Sequence, residues 1–242
     1  MVFKHKYVVG VEDIGHDKMA SNRAILAIME DVGCLHSAKA GYGVMDIETK
    51  KRAWVLLDWE VKILKRPIYN QEIEAGTWAG RMEKLTANRY FELRDADGQV
   101  MAAGISRWLL FDLEKKRPVR LTGDIISLYE PEIEKKVEGL ELEDIQDTVL
   151  EKEEYARNYK VLRRDIDINQ HMHNLSYLDA AYEILPEEVY QGEEFNHIRI
   201  AFKKEIKYGE EIVCSYVYAD EKHIVTLKDE KKVRAVIELK KE

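Results

Sequence analysis

The chain repeats itself, and the repeat limits its fold more than any other feature. Residues 7–11 are a short apolar run, and residues 20–36 set Ile25, Ile28, Met29, Val32 and Leu35 at the spacing of one helix face, with Ser21 or Asn22 as cap. Strand patterns follow at 52–64, 72–79, 84–94 and 100–113, the last two flanking the hairpin turn Asp95-Ala96-Asp97-Gly98. After residue 150 the order restarts. A strand at 154–164 leads to Leu175, Leu178, Ala181, Tyr182 and Leu185 at helical spacing, and this stripe stops at Pro186. Strands at 198–206, 211–218, 223–228 and 232–240 complete the second round. The repeat extends to single residues: Ile63 to Ile73 matches Phe202 to Ile212 at constant offset, with Tyr69 over Tyr208 and Glu72 over Glu211.

One helix on a small antiparallel sheet leaves edges and one flank uncovered, and two such units in one chain can cover them. The expected fold is therefore α+β: two tandem units, each a long helix packed on an antiparallel sheet. The first spans 1–130 and the second 151–242. Between them, 131–150 is acidic and poor in aromatic residues, a composition that suits a linker, helical in part.

The halves differ where chemistry would be. Residues 164–174 read Arg-Asp-Ile-Asp-Ile-Asn-Gln-His-Met-His-Asn. In an extended backbone Asp167, Asn169 and His171 share one face, so a carboxylate, an amide and an imidazole converge just before a helix N-terminus. That terminus offers free backbone N–H groups. The first half sets Gly15, Asp17 and Met19 at these places, and Arg66 opposite Glu205. A polar site would thus belong to the second half. Each residue also has a structural role open to it. Asp and Asn favour turns and caps, and Lys-Lys-Glu-Ile-Lys around Glu205 has the pattern of a solvated strand face.

Composition closes off several function classes. The 242 residues carry 46 acidic and 38 basic side chains, a net −8 that disfavours non-specific nucleic-acid binding. No apolar run approaches the ~18 residues of a membrane span. The first residues show neither a signal peptide nor a transit composition. Cys34 and Cys214 are too few for a disulfide framework or a cysteine-ligated metal. No spacing supports zinc on His171, His173 and His197. A cytoplasmic protein without metal or cofactor is the expectation.

The segment Asp165-Ile166-Asp167-Ile168-Asn169-Gln170-His171-Met172-His173-Asn174-Leu175-Ser176-Tyr177 resembles the Asp-Leu-Asp-x-Asn-x-His-x-Asn-Asn-x-x-Tyr signature of the acyl-acyl carrier protein thioesterases, which are built as tandem hot-dog domains. Ile200-Ala201-Phe202-Lys203-Lys204-Glu205 resembles the segment that holds the catalytic Glu of that family. Trp54-Val55-Leu56, the 81–94 strand and Ser106-Arg107-Trp108-Leu109 extend the likeness over nearly the whole chain. Two positions depart from it. His173 replaces the first Asn of the Asn-Asn pair, and Ile206 stands where several plant members carry a cysteine, which argues against covalent catalysis here.

The resemblance implies hydrolysis of fatty acyl-acyl carrier protein at Asp167, Asn169, His171 and Glu205, with the acyl chain held in the first half. Trp54, Leu56, Met82 and Trp108 could line that pocket or simply pack the core. A thioester needs an aimed water, a base and oxyanion donors, and its thiolate leaves readily at a conjugate pKa of ~8.5. Either Asp167 or Glu205 could serve as the base, its pKa raised by partial burial in an apolar cleft, and N–H groups at the start of the 175–185 helix could hold the oxyanion. Carrier protein is acidic, so Arg163, Arg164, Lys203, Lys204 and Lys207 are candidate docking residues. A second copy of the chain is a further candidate partner. The competing readings are an acyl-CoA thioesterase, separable by its carrier preference, and a non-catalytic acyl-binding module, which would have no use for a base.

Overall fold

Ser21 opens the first long helix by accepting a hydrogen bond from the Ala24 N–H at 3.1 Å. This helix, α1 (Asn22–Lys39), buries Ile25, Leu26, Met29 and Val32 completely. Each such side chain contributes roughly 1.5–3 kcal/mol relative to an exposed one. The computed structural model describes residues 1–142, 154–192, 194–230 and 232–242, in two compact units, Met1–Leu142 and Glu143–Glu242.

In the first unit α1 lies on an antiparallel sheet in the order β1 (Phe3–Val8), β3 (Glu72–Glu83), β4 (Thr86–Arg94), β5 (Val100–Asp112), β2 (Arg52–Ile63). A one-turn α2 (Ile47–Lys50), a short β6 (Arg117–Pro118) on β5, and α3 (Gly123–Leu128) complete it. The uneven alternation of β2 has a physical cause. A bulge between Leu56 and Asp58 shifts the register by one residue, so Leu56 and then Trp59, Val61 and Ile63 all face the core. Gly104 on β5 sits so close to α1 that a Cβ there would lie 3.2 Å from Met29 Sδ.

The residues just after α3 were expected in the linker, yet Leu140 packs against Trp78, Tyr90, Ala103 and Ile105, and Trp78 Nε1 donates to the Lys135 carbonyl at 2.8 Å. No helix occurs in 131–142. The rest of the expected linker, 143–150, lies outside the described residues.

Beneath α1 the first unit encloses a cation. Arg89 on β4 is 8% exposed, and its Nη1 lies 2.9 Å from His36 Nδ1 and 3.2 Å from Thr77 Oγ1. Its Nη2 donates to Ser37 Oγ at 3.3 Å. Burial first, and then the Arg89 charge, lowers the His36 pKa to about 3. The imidazole is therefore neutral and accepts from the guanidinium.

The second unit repeats the plan with the order β8 (His197–Phe202), β11 (Val233–Lys240), β10 (Lys222–Lys228), β9 (Glu211–Ala219), β7 (Tyr155–Lys160). Its helix is shorter than the sequence suggests. α4 (Asn174–Tyr182) has nine residues against eighteen in α1, and a separate α5 (Glu187–Gly192) follows. Pro186 explains the break, because a helical proline clashes with the carbonyl four residues earlier, here that of Tyr182. Leu175, Leu178 and Ala181 remain buried, as their spacing requires.

Candidate active site

The backbone around residues 165–177 is the same in both units, which separates what serves the fold from what serves chemistry. In the second unit Asp167 N–H donates to the His171 carbonyl at 2.8 Å, and Gln170 N–H to the Asp167 carbonyl at 3.1 Å. Gln170 takes the left-handed conformation at φ 65. This is a three-residue hairpin loop with one left-handed residue, not an extended strand. In the first unit Gly15 and Met19 close the same loop at 3.0 Å, with Lys18 at φ 65. Met172 N–H donates to the Ile206 carbonyl at 2.7 Å, as Ala20 does to Pro67 at 2.7 Å. Asp165 Oδ2 accepts from the Leu162 N–H at 2.7 Å, and Asp13 Oδ2 from the Gly10 N–H at 2.7 Å. Asp165 is thus a frame residue common to both units, and a hydrogen bond from the Tyr159 hydroxyl (2.9 Å) reinforces it.

Onto this shared frame the second unit adds Asp167, Asn169, His171 and Glu205. The turn brings the first three together, so strand alternation is not the cause of their proximity. Asp167 Oδ1 accepts from the Asn169 N–H at 2.8 Å and the His171 N–H at 3.2 Å, while Oδ2 accepts from Asn169 Nδ2 at 3.2 Å. Asp95 makes the same two backbone bonds in the β4–β5 turn, to Asp97 N–H at 3.1 Å and Gln99 N–H at 2.9 Å. Asp167 therefore shapes the loop, and both its oxygens are engaged. His171 forms an isolated bridge with Lys207, which carries its ring toward the 203–210 loop after β8. There Nε2 lies 3.7 Å from Glu205 Oε2, with the two side chains 34% and 53% exposed. The burial in an apolar cleft expected for a carboxylate base is not what Glu205 shows.

The helix N-terminus expected to hold the oxyanion resolves differently. The first N–H groups of α4 are taken up within the fold. Leu175 N–H donates to His173 Nδ1 at 3.3 Å, and Ser176 N–H to the His173 carbonyl at 2.8 Å. His173 is accordingly the N-cap of α4. His197 Nδ1 pairs with Glu242 at 2.9 Å, and among the described residues no group of three or more His, Cys, Asp or Glu side chains is placed to share a metal ion. Cys214 is buried in β9, which pushes its thiol pKa up to about 12, and Ile206 is fully buried.

Of the candidate pocket residues, Met82 belongs to a buried cluster with Ala40, Ala87, Leu110 and Tyr129, and Trp54 packs on it with Nε1 donating to Tyr129 at 2.7 Å. Leu56 is buried, and Trp108 Nε1 donates to Ser106 Oγ at 2.6 Å. Arg163, Arg164, Lys203, Lys204 and Lys207 are all exposed.

Two further residues hold the site, and the sequence pattern does not mark either as a support. Tyr177 is buried on α4, its ring edge-on to Phe202 at 5.2 Å and its hydroxyl bonded to the Ile206 backbone. Burial keeps that hydroxyl protonated, with its pKa well above the ordinary phenol value. Arg234 on β11 is 7% exposed and donates to the Glu205 carbonyl. Its place in Lys-Lys-Val-Arg-Ala-Val reads as solvated charge; setting it over Met101 in the repeat would have singled it out.

Comparison with known proteins agrees with this architecture. The Acyl-ACP thioesterase N-terminal domain family matches residues 1–129, and the Acyl-ACP thioesterase C-terminal domain family matches residues 148–241. The chain belongs to the acyl-ACP thioesterase family, and its fold is the tandem hot dog. It is 24% identical over 225 residues to oleoyl-acyl carrier protein thioesterase 1, chloroplastic, of Arabidopsis thaliana, covering 84% of this chain and 60% of that protein. Among solved structures it is similar to the 12:0-ACP thioesterase from Umbellularia californica, with TM-score 0.84 and 17% identity over 99% of this chain and 96% of that one. It is also similar to an acyl-ACP thioesterase from Bacteroides thetaiotaomicron, with TM-score 0.83 and 18% identity over 98% of this chain and 96% of that one.

Proposed function

We propose that the chain hydrolyses the thioester of acyl-acyl carrier protein to free fatty acid and carrier thiol, with Glu205 as general base and water as nucleophile. One observation carries this reading: His171 Nε2 and Glu205 Oε2 lie 3.7 Å apart, on a frame whose other copy has Met19 and Arg66 at those places. That separation exceeds a direct hydrogen bond, yet a water beside the pair reaches both at about 2.8 Å. Glu205 is favoured over Asp167 as base because the oxygens of Asp167 already accept three hydrogen bonds within its own loop, whereas the Glu205 carboxylate lies beside His171. Asn169 gives one amide hydrogen to Asp167, and its second is the donor for the developing oxyanion. The water adds to the carbonyl carbon as Glu205 takes its proton. The tetrahedral intermediate then expels the thiolate, which receives the proton.

The same reading places the acyl chain in the first unit, where the polar set is missing and apolar side chains cluster around Met82. The exposed Lys203, Lys204 and Lys207 suit an acidic carrier. The two unpaired cysteines suit a reducing, cytoplasmic setting.

The test pairs carrier and coenzyme A thioesters of equal chain length, with the released acid identified by mass and the thiol counted. Acid and thiol should appear in equal amounts, faster from the carrier. Faster release from coenzyme A would make it an acyl-CoA thioesterase. Tight acyl binding without thiol release would overturn hydrolysis altogether.

A further inference from the structure

Both units tie the loop after their β2 or β8 strand to a neighbouring strand by the same two backbone bonds. Leu64 and Lys65 N–H donate to the Met101 carbonyl at 2.8 and 3.0 Å. Lys203 and Lys204 N–H donate to the Arg234 carbonyl at 2.8 and 3.1 Å. Met101 and Arg234 therefore occupy equivalent places. Their side-chain partners are equivalent too, since Gln71 Nε2 lies 3.8 Å from Met101 Sδ where Glu210 lies 3.4 Å from Arg234 Nη2. In the first unit this loop stands with a fully buried methionine and a neutral glutamine.

The first frame thus forms with no guanidinium at the Met101 place, its own Arg66 donating instead to the Ala20 carbonyl at 2.9 Å, yet the second unit buries one at the equivalent of Met101, at the cost of desolvating a charge. The fork of Arg234 reaches three groups. Nη1 donates to the Glu205 carbonyl, Nε and Nη2 to Asp229 Oδ2 at 2.9 and 2.6 Å, and Nη2 to Glu210. The second loop carries the Glu205 carboxylate where the first has Arg66, and the guanidinium grips the main chain of that same residue.

We propose that Arg234 is a positioning residue for the hydrolytic reaction, fixing the 203–210 loop so that the Glu205 carboxylate stays beside His171. This rests on the reading of Glu205 as base. The internal repeat also supplies the control, because the variant Arg234→Met/Glu210→Gln installs the pair that the first unit already uses. Misplacement of a catalytic group by about 1 Å can cost on the order of a hundredfold in rate.

The experiment measures kcat, KM and melting temperature on an acyl-carrier thioester for wild type, Arg234→Met/Glu210→Gln, Glu205→Gln, and the three changes together. The expected result is a folded double variant with KM within about threefold of wild type and kcat lower by roughly thirty- to a hundredfold. Added to Glu205→Gln, the pair should cost less than about threefold more, because Arg234 acts through Glu205. Three results would each overturn the inference: wild-type kcat in the double variant, losses that multiply with Glu205→Gln, or failure of the Met–Gln pair to fold. Wild-type turnover in Glu205→Gln would instead overturn the hydrolytic reading beneath it.

Discussion

His36 gives the first unit a built-in sensitivity to acid. Burial and the adjoining Arg89 guanidinium lower its pKa to about 3 from the ordinary 6.5. Between those values the unfolded chain binds a proton at this residue that the folded chain refuses, so stability is full above pH 6.5 and falls as pH drops through the window. At pH 4.5 the loss from this residue is about 2.7 kcal/mol, two pH units at about 1.36 kcal/mol each. Carboxylates titrate in the same range, so the measurement is a difference. His36→Gln keeps an acceptor for Arg89 and removes the titration. All four tryptophans, at 54, 59, 78 and 108, lie in the first unit, so their fluorescence during urea unfolding reports on that unit. From pH 7.5 to 4.5, wild type should lose about 2.7 kcal/mol more than His36→Gln. Parallel losses in the two proteins would show that His36 protonates freely in the folded state, and the argument from burial would be wrong.

Two further outcomes follow from the frame and its surface. Gln170 holds a left-handed conformation at φ 65, so Gln170→Gly should raise stability by about 1 kcal/mol in chemical denaturation, and an unchanged or lower midpoint would refute the strain. Reversing charge at the exposed Lys203 and Lys204 should raise KM for carrier-linked substrate about tenfold and leave small acyl thioesters within twofold, whereas equal loss on both would remove the docking role.

The architecture was legible because hydrophobic period and repeat agree with each other. The stripe from Ile25 to Val32 and the hairpin at Asp95 to Gly98 each have a local physical cause and appear where that cause puts them, while Pro186 ends the second helix earlier than its apolar stripe suggests, at Tyr182. The misreadings arise where one local pattern serves two structures. Alternation at Asp167, Asn169 and His171 fits a strand as well as a tight hairpin loop, and only the backbone bonds decide. The start of α4 looked like a source of free N–H donors because capping by His173 is a matter of side-chain geometry. Residues 131–142 looked like linker because their few apolar side chains, Leu140 among them, gain meaning only against Trp78 and Tyr90. Arg234 was hidden for a related reason. A buried guanidinium has the same letter as a solvated one, and its grip on Glu205 spans 29 residues of sequence.

The most direct test of Glu205 is a single turnover of acyl-carrier thioester in ¹⁸O-water by wild type and by Glu205→Gln. General-base attack by water predicts one ¹⁸O in the first acid released by wild type, none in the protein, and a rate lower by at least about a hundredfold in the variant. Label in the Glu205 carboxyl, or release by Glu205→Gln at the wild-type rate, would contradict it.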